Sequence, residues 1–212
     1  LSTKVPQMSA ETDSQTQKAR VWLKPEQIAD MRNATVENSA DYLAQRNDAL
    51  IAVLADTGLR VGETVALDVS MVDFDDGVLM LPANIQKDYP NDNSPTYTEI
   101  ELAGETVRTL RTYLSNRWKD TDALFPSRQS DRMTTESVRN VVRDAAVAAE
   151  IAPYTLEGPG DATDVTPHSL RHSVAYRMMN REDGNTLYDV RNRLRHSSIQ
   201  TTERVYDHLD RV

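Results

Sequence analysis

Hydrophobic spacing in this chain follows a helical period over most of its length and turns to strict alternation in one stretch, a contrast that narrows the fold before any single residue is weighed. Ile28 and Met31 share one face of a segment from Trp22 to Thr35, whose start is marked by Pro25 and Glu26. Tyr42, Leu43, Leu50, Val53 and Leu54 draw an apolar stripe along Asp41 to Asp56, and Gly58 ends it. Helical spacing returns after Gly104 (Val107, Leu110, Leu114), after Thr134 (Val138, Val141, Val142, Ala145), and near His168, Thr186 and Ser198. Between Met71 and Leu102 the pattern differs. The runs MVDF and VLML around an Asp75-Asp76-Gly77 turn predict a hairpin, and Tyr97 to Leu102 alternates like a third strand. The predicted fold class is mainly α (α+β): a helical domain with a small three-stranded antiparallel sheet.

The 212 residues suffice for one domain with a buried core. Residues 1–21 are polar, lack any period and begin with Leu, so they read as a linker or disordered segment cut from a longer protein; residues 22–212 read as the domain. The Pro/Gly-rich stretch from Pro153 to Pro167 is expected to loop over the surface. No apolar run is long enough to span a bilayer and no signal peptide is visible, which points to a cytoplasmic protein away from membranes. With no cysteine, thiolate metal sites, disulfides and thiol redox chemistry are excluded.

The net charge of -9 argues against a nucleic-acid partner, since such domains usually carry a basic footprint. Yet the charges are skewed. Lysine occurs only at positions 4, 18, 24, 87 and 119, and the other basic residues are arginines. An Asp-rich, Lys-poor composition resembles that of proteins from salt-loving cells, where acidity maintains solubility, so the charge reads as halophilic adaptation.

All four histidines lie between positions 168 and 208, and eight arginines fall between 171 and 211. In Thr166-Pro167-His168-Ser169-Leu170-Arg171-His172, His168 and Arg171 are three apart at a helix start, which puts both on one face where they can clasp a phosphate. His168 and His172 are also four apart, as in a zinc-hydrolase helix, but Ser169 stands where that chemistry needs a glutamate, and no metal or cofactor is expected. Taken in order, Thr57-Gly58-Leu59-Arg60-Val61-Gly62-Glu63, then Lys87 beside the hairpin, His168-x-x-Arg171, Leu194-Arg195-His196-Ser197-Ser198 and Tyr206 resemble the tyrosine recombinase (phage integrase) family. The acidity suggests similarity to haloarchaeal members. The resemblance runs from about Trp22 to the end and maps the family's site onto Arg60, Lys87, His168, Arg171, His196 and Tyr206, with Glu63 in support. Arg195 departs from the glycine usual before that histidine, which puts the local backbone in question.

The resemblance implies a site-specific recombinase acting on double-stranded DNA as a homotetramer, and these residue types suit that chemistry. A tyrosine hydroxyl must lose its proton to attack a phosphodiester, and Arg60 and Arg171 supply positive charge that favours the phenolate and holds the non-bridging oxygens. A lysine ammonium at Lys87 can protonate the departing 5' oxygen. His168 exchanges a proton with Tyr206 or orients it, His196 donates to the phosphate, and Glu63 holds its neighbours. Glu203 and Arg204 read as a solvated face, His172 and His208 as structural or surface residues. The site residues are expected to converge on one solvent-accessible surface. Two alternatives stay open: a non-catalytic DNA-binding module on the same fold, and a topoisomerase-like relaxing activity.

Overall fold

The computed structural model of the protein describes residues 21–86, 97–180, 182 and 184–209. The chain enters through strand β1 (Val21–Trp22), and Pro25 opens helix α1 (Pro25–Asn38) at the position where a missing N–H costs nothing. Helix α2 (Asp41–Thr57) and the short α3 (Val61–Ala66) follow. Strands β2 (Val72–Asp73), β3 (Val78–Pro82) and β4 (Tyr97–Glu101) come next, then α4 (Gly104–Asn116) and α5 (Thr135–Ala148). A second pair of strands, β5 (Tyr154–Thr155) and β6 (Gly158–Pro159), precedes α6 (Pro167–Asn180), α7 (Leu187–Leu194) and α8 (Ile199–Tyr206). Among the described residues no helix is long and apolar enough to cross a membrane.

The expected hairpin forms as a three-stranded antiparallel sheet in the order β2-β3-β4. Leu79 stands opposite both Val72 and Ile100, and Leu79, Leu81 and Ile100 all face the core at 2 % exposure or less, as a period of two demands. Asp73 closes the turn by accepting hydrogen bonds from the backbone N–H groups of Asp75 and Asp76 at 2.9 and 3.0 Å. The stripe on α2 predicts one buried face, but every residue from Ala49 to Thr57 is buried, because α1, α4 and α6 pack around this helix. Alanines at 49, 52 and 55 let those neighbours approach closely.

The stretch Pro153 to Pro167 is not a plain surface loop. β5 and β6 make a tight hairpin there, and β5 pairs with β1 through Val21↔Thr155 and Trp22↔Tyr154, giving a second small sheet. Trp22 stacks on Tyr154 with centroids 6.2 Å apart, and Thr155 closes the turn by donating to the Gly158 carbonyl at 2.8 Å. Two-residue strands are too short to show alternation, so periodicity cannot reveal them.

Two apolar clusters result. The larger is built around α2, the first sheet, α4 and α5; the smaller gathers Val174, Ala175, Tyr176, Val190, Leu194, Val205, Tyr206 and Leu209, with Trp22 packed against it. The smaller cluster unites α6, α7 and α8, and the boundary between the two is where the polar residues of interest meet.

Candidate active site

Two helix corners face each other across α6. At the first, α2 ends on Gly58 in the left-handed conformation (φ 64°, ψ 28°), whose N–H caps the Leu54 carbonyl at 3.0 Å. Glycine is required there twice over, since a Cβ at this position would lie 2.5 Å from Leu194 Cδ2. Arg60 then caps α3. The Glu63 carboxylate reaches back to accept from the Arg60 backbone N–H at 2.8 Å and from Arg60 Nη1 at 3.0 Å.

At the second corner α7 ends on Arg195, also left-handed at φ 53°, and the chain turns through His196 into α8, capped by Ser198 accepting from Thr201 N–H at 3.2 Å. Arg195 Nη2 donates to Glu63 Oε2 at 2.8 Å, both side chains being 3 % exposed. Arg60 Nη2 donates to the Arg195 carbonyl at 3.3 Å.

Arg171 joins the corners. Helix α6 starts where Thr166 and Ser169 cap each other's backbone, with Pro167 as its first residue, and this points Arg171 inward from the next turn. Its Nη1 donates to the Gly58 carbonyl and its Nη2 to the Leu194 carbonyl, a fork that only a planar guanidinium can span. Burial lowers its pKa to about 9, with Arg60 and Arg195 adding to the effect and Tyr206 and Glu63 opposing it; it stays charged at neutral pH.

Aromatic rings line the other side. The His168 and His172 rings meet edge to face at 4.3 Å, His172 meets Tyr206 at 5.7 Å, and Tyr206 lies parallel to His196 at 5.7 Å. His196 Nδ1 is 2.9 Å from the Thr202 hydroxyl. Burial, then Arg171, Arg60, His172 and Arg195, press the His196 pKa down to about 3, so this ring is neutral over the ordinary pH range. His168 is lowered too, first by desolvation and then by Arg171 and Arg60, while its side chain opens on a cleft of about 380 Å³ bordered by Arg60, Arg139 and Thr166.

Arg60, Glu63, His168, Arg171, His196 and Tyr206 therefore come together from four separate elements. Lys87 lies outside the described residues. Two expectations need correction. The residues do not all converge on a solvent-accessible surface, since Arg171 is 2 % and Tyr206 1 % exposed. Arg171 is buried because main-chain carbonyls satisfy it, and Tyr206 because its ring belongs to the smaller core. Nor is the Tyr206 pKa low: burial raises it to about 12, outweighing Arg171 and Arg60, which do favour the phenolate as expected. Glu63 goes the other way, for although burial favours its neutral form, Arg195, Arg60, the Arg60 N–H and Arg171 together keep its carboxyl below the usual range.

Two neighbours of the site were read only in part from the sequence. His172, read as structural or surface, is structural: it is buried between His168 and Tyr206, and its Nδ1 lies 3.2 Å from the Val21 carbonyl, so it ties the entering strand to the tyrosine's pocket. Its place four residues after His168 on one helix face is the signal that could have found it. Arg195 stood out in the sequence only as a departure from glycine, and its backbone is left-handed at φ 53°; its pairing with Glu63 gave no signal, because that partner is 132 residues away. Glu203 and Arg204 are exposed, as a solvated face requires. Among the described residues no three His, Asp or Glu side chains cluster in a way that could hold a metal ion.

The phage integrase family model matches residues 21–211. The chain belongs to that family. Among relatives, tyrosine recombinase XerC of Bifidobacterium longum is 30 % identical over 171 residues, covering 78 % of this chain and 44 % of that protein. Tyrosine recombinase XerD of Haemophilus ducreyi is 30 % identical over 189 residues, 88 % of this chain and 57 % of that protein. This integrase-family chain thus spans about half the length of the curated relatives it matches. Among solved structures, XerA recombinase superposes with a TM-score of 0.67 at 26 % identity, over 87 % of this chain and 59 % of that one. XerH recombinase in a pre-cleavage complex with its difH substrate gives 0.67 at 19 % identity, over 93 % and 53 %, a likeness of fold.

Proposed function

We propose that this integrase-family domain is the catalytic part of a site-specific recombinase that cuts and rejoins double-stranded DNA through a 3'-phosphotyrosine intermediate. The observation that supports this reading most is the fork of Arg171 between the Gly58 and Leu194 carbonyls, which sets its charge beside Arg60 and next to Tyr206. Fixed guanidiniums beside a tyrosine hydroxyl suit a phosphodiester whose negative charge grows as it is attacked.

In this reading the Tyr206 oxygen attacks phosphorus, the bond to the 5' oxygen breaks, and Lys87 supplies the proton that the 5' oxygen takes up. Arg60 holds the non-bridging oxygens, and Arg171 adds its charge from behind and touches them only once the buried pocket it shares with Tyr206 is uncovered. His196 in its neutral form donates one hydrogen bond to the phosphate, His168 takes or relays the tyrosine proton, and Glu63 keeps Arg60 in place. Tyr206 has to be presented to a phosphate before it can attack, since its hydroxyl is buried in the protein alone. The bond energy is kept in the ester, so a free 5' hydroxyl can reverse the step. The working unit is a homotetramer on two duplexes, in the cytoplasm, and the acidic composition is an adaptation to high salt of the haloarchaeal kind.

A nicked suicide duplex tests the reading. The native chain should form a covalent adduct in EDTA, because arginines supply the charge, and Tyr206→Phe should bind DNA but form none. Lys87→Ala should slow cleavage by on the order of 10²–10⁴, and a 5' bridging sulfur, a better leaving group, should restore it. No adduct from the native chain would favour a binding module, and loss of rate that sulfur does not rescue would remove Lys87 from the role of acid. Denaturation midpoints that fail to rise with KCl would count against the halophilic reading.

A further inference from the structure

The polar core of the site contains one arginine for which the proposed reaction has no use. Arg195 is held in a left-handed turn that non-glycine residues seldom adopt, and its guanidinium is driven inward to 6 % exposure for the whole residue. A strained backbone and a buried charge are both unfavourable alone, and here both accompany a pairing with a carboxylate: Arg195 Nη2 donates to Glu63 Oε2 at 2.8 Å, and Nη1 donates to the Arg193 carbonyl at 3.0 Å. The same Glu63 carboxylate takes the Arg60 guanidinium on its other oxygen at 3.0 Å. Arg60 in turn donates to the Arg195 carbonyl at 3.3 Å, closing a ring of three side chains and one peptide.

We propose that Arg195 is a positioning residue: it clamps Glu63 and, through that carboxylate and its own carbonyl, fixes the direction in which Arg60 is presented to a phosphate. The proposal rests on the reading of the site as a DNA strand-transfer centre and assigns to that centre one more working part. The ring explains why three guanidiniums can sit together. Arg60, Arg171 and Arg195 all face Glu63, from α3, α6 and the end of α7, and the carboxylate between them offsets a repulsion that would otherwise push Arg60 outward. The clamp also joins the corner that carries Arg60 to the corner that carries His196, so two of the three proposed phosphate donors share one anchor.

The test compares Arg195→Gly, Arg195→Lys, Glu63→Gln and the Glu63→Gln/Arg195→Gly double variant in the full chain. Glycine keeps the left-handed turn without strain and removes only the side chain. In Arg195→Gly the Glu63 carboxyl, followed by NMR, should hold its proton to higher pH than in the native chain, and the Arg60 guanidinium protons should exchange faster with water. Unchanged Glu63 titration overturns the proposal whether or not the protein cleaves DNA. Glu63→Gln leaves the guanidiniums facing one another and should lower the unfolding midpoint, and adding Arg195→Gly should recover part of that loss; two losses that simply add would overturn the pairing. On the nicked substrate Arg195→Gly should lose several-fold more rate near pH 5 than near pH 8, with Arg195→Lys in between. Equal loss at both pH values would mean that Arg195 supports only the fold, and would overturn the positioning role. Absence of adduct from the native chain would instead strike the strand-transfer reading, leaving the Glu63 titration to decide the clamp.

Discussion

At the end of α2 the chain turns on a glycine, Gly58 with φ 64°, whereas at the end of α7 it turns on an arginine, Arg195 with φ 53°. The backbone outcome is the same: each corner directs a carbonyl at Arg171, one from Gly58 and one from Leu194. The difference lies in the space around the turn. Leu194 fills the volume where a Cβ on Gly58 would go, so the first corner admits no side chain. The second has a path leading inward to Glu63, and a long cation takes it. A left-handed residue is therefore a local demand that glycine meets most easily, and a neighbour's carboxylate can justify another residue.

Removing the element common to both corners should have the largest effect. Arg171→Ala deprives two buried carbonyls of a charged donor, each such bond contributing about 1.5–3 kcal/mol, so urea unfolding should show a loss of about 3 kcal/mol or more, and no adduct should form. Arg171→Lys keeps the charge but not the fork; if it matched the native midpoint, the two-carbonyl bridge would not be what holds the corners together.

Gly58→Ala should come next, combining left-handed strain of about 1–2 kcal/mol with overpacking of about 1–3 kcal/mol against Leu194. Combined with Leu194→Ala, which removes the clashing methyl, it should destabilise by less than the sum of the two single changes. Strict additivity would show that space is not what separates this corner from the other.

The pH dependence separates the corner holding His196 from the pocket holding Tyr206. His196 has its pKa lowered in the folded state from 6.5 to about 3, so the fold favours the neutral ring; its contribution is complete above 6.5 and is lost as pH falls through that window. Tyr206 is raised from 10.0 to about 12, so its neutral hydroxyl is favoured; that contribution is complete below 10 and is lost as pH rises toward 12. His196→Asn should make the acid side of a midpoint-versus-pH curve less steep and Tyr206→Phe the alkaline side, the slope that remains coming in part from His168, lowered by burial, and from Tyr113, raised by burial to about 12. A native curve without either slope would refute the burial assigned to these rings.

The smallest effect is expected at the far end of α7, where Thr186 accepts from the Asp189 N–H and Asp189 reaches back to the Thr186 N–H at 2.8 Å. Thr186→Ala should lower stability by about 1 kcal/mol and leave adduct formation unchanged well below the melting temperature. A large loss of cleavage in this variant would show that the arginine effects report general loosening of α7 rather than the corners.

Much of this was legible in the chain itself. Pro25, Gly58 and the Thr186 cap mark helix ends by their own backbone chemistry, and the alternation at Leu79, Leu81 and Ile100 identifies the sheet's inward face. The order of Arg60, Glu63, His168, Arg171, His196 and Tyr206 was enough to pick out side chains that the fold then brings to one place. The β1-β5-β6 sheet was not legible, because strands of two residues carry no period.

The sequence by itself determined the longer helical segments, though not the six-residue α3, and it determined where the first sheet lies and which charged and aromatic groups are at hand, since those depend on spacing within a few residues and on chemistry each side chain carries everywhere. Only the tertiary structure decided that α2 is buried on all sides, that Tyr206 is sealed in the smaller core with its pKa raised, that His172 stands beside it, and that Arg195 answers Glu63 from 132 positions away. Burial and pairing are properties of what packs around a group, and no local pattern encodes a neighbour that arrives from a distant part of the chain.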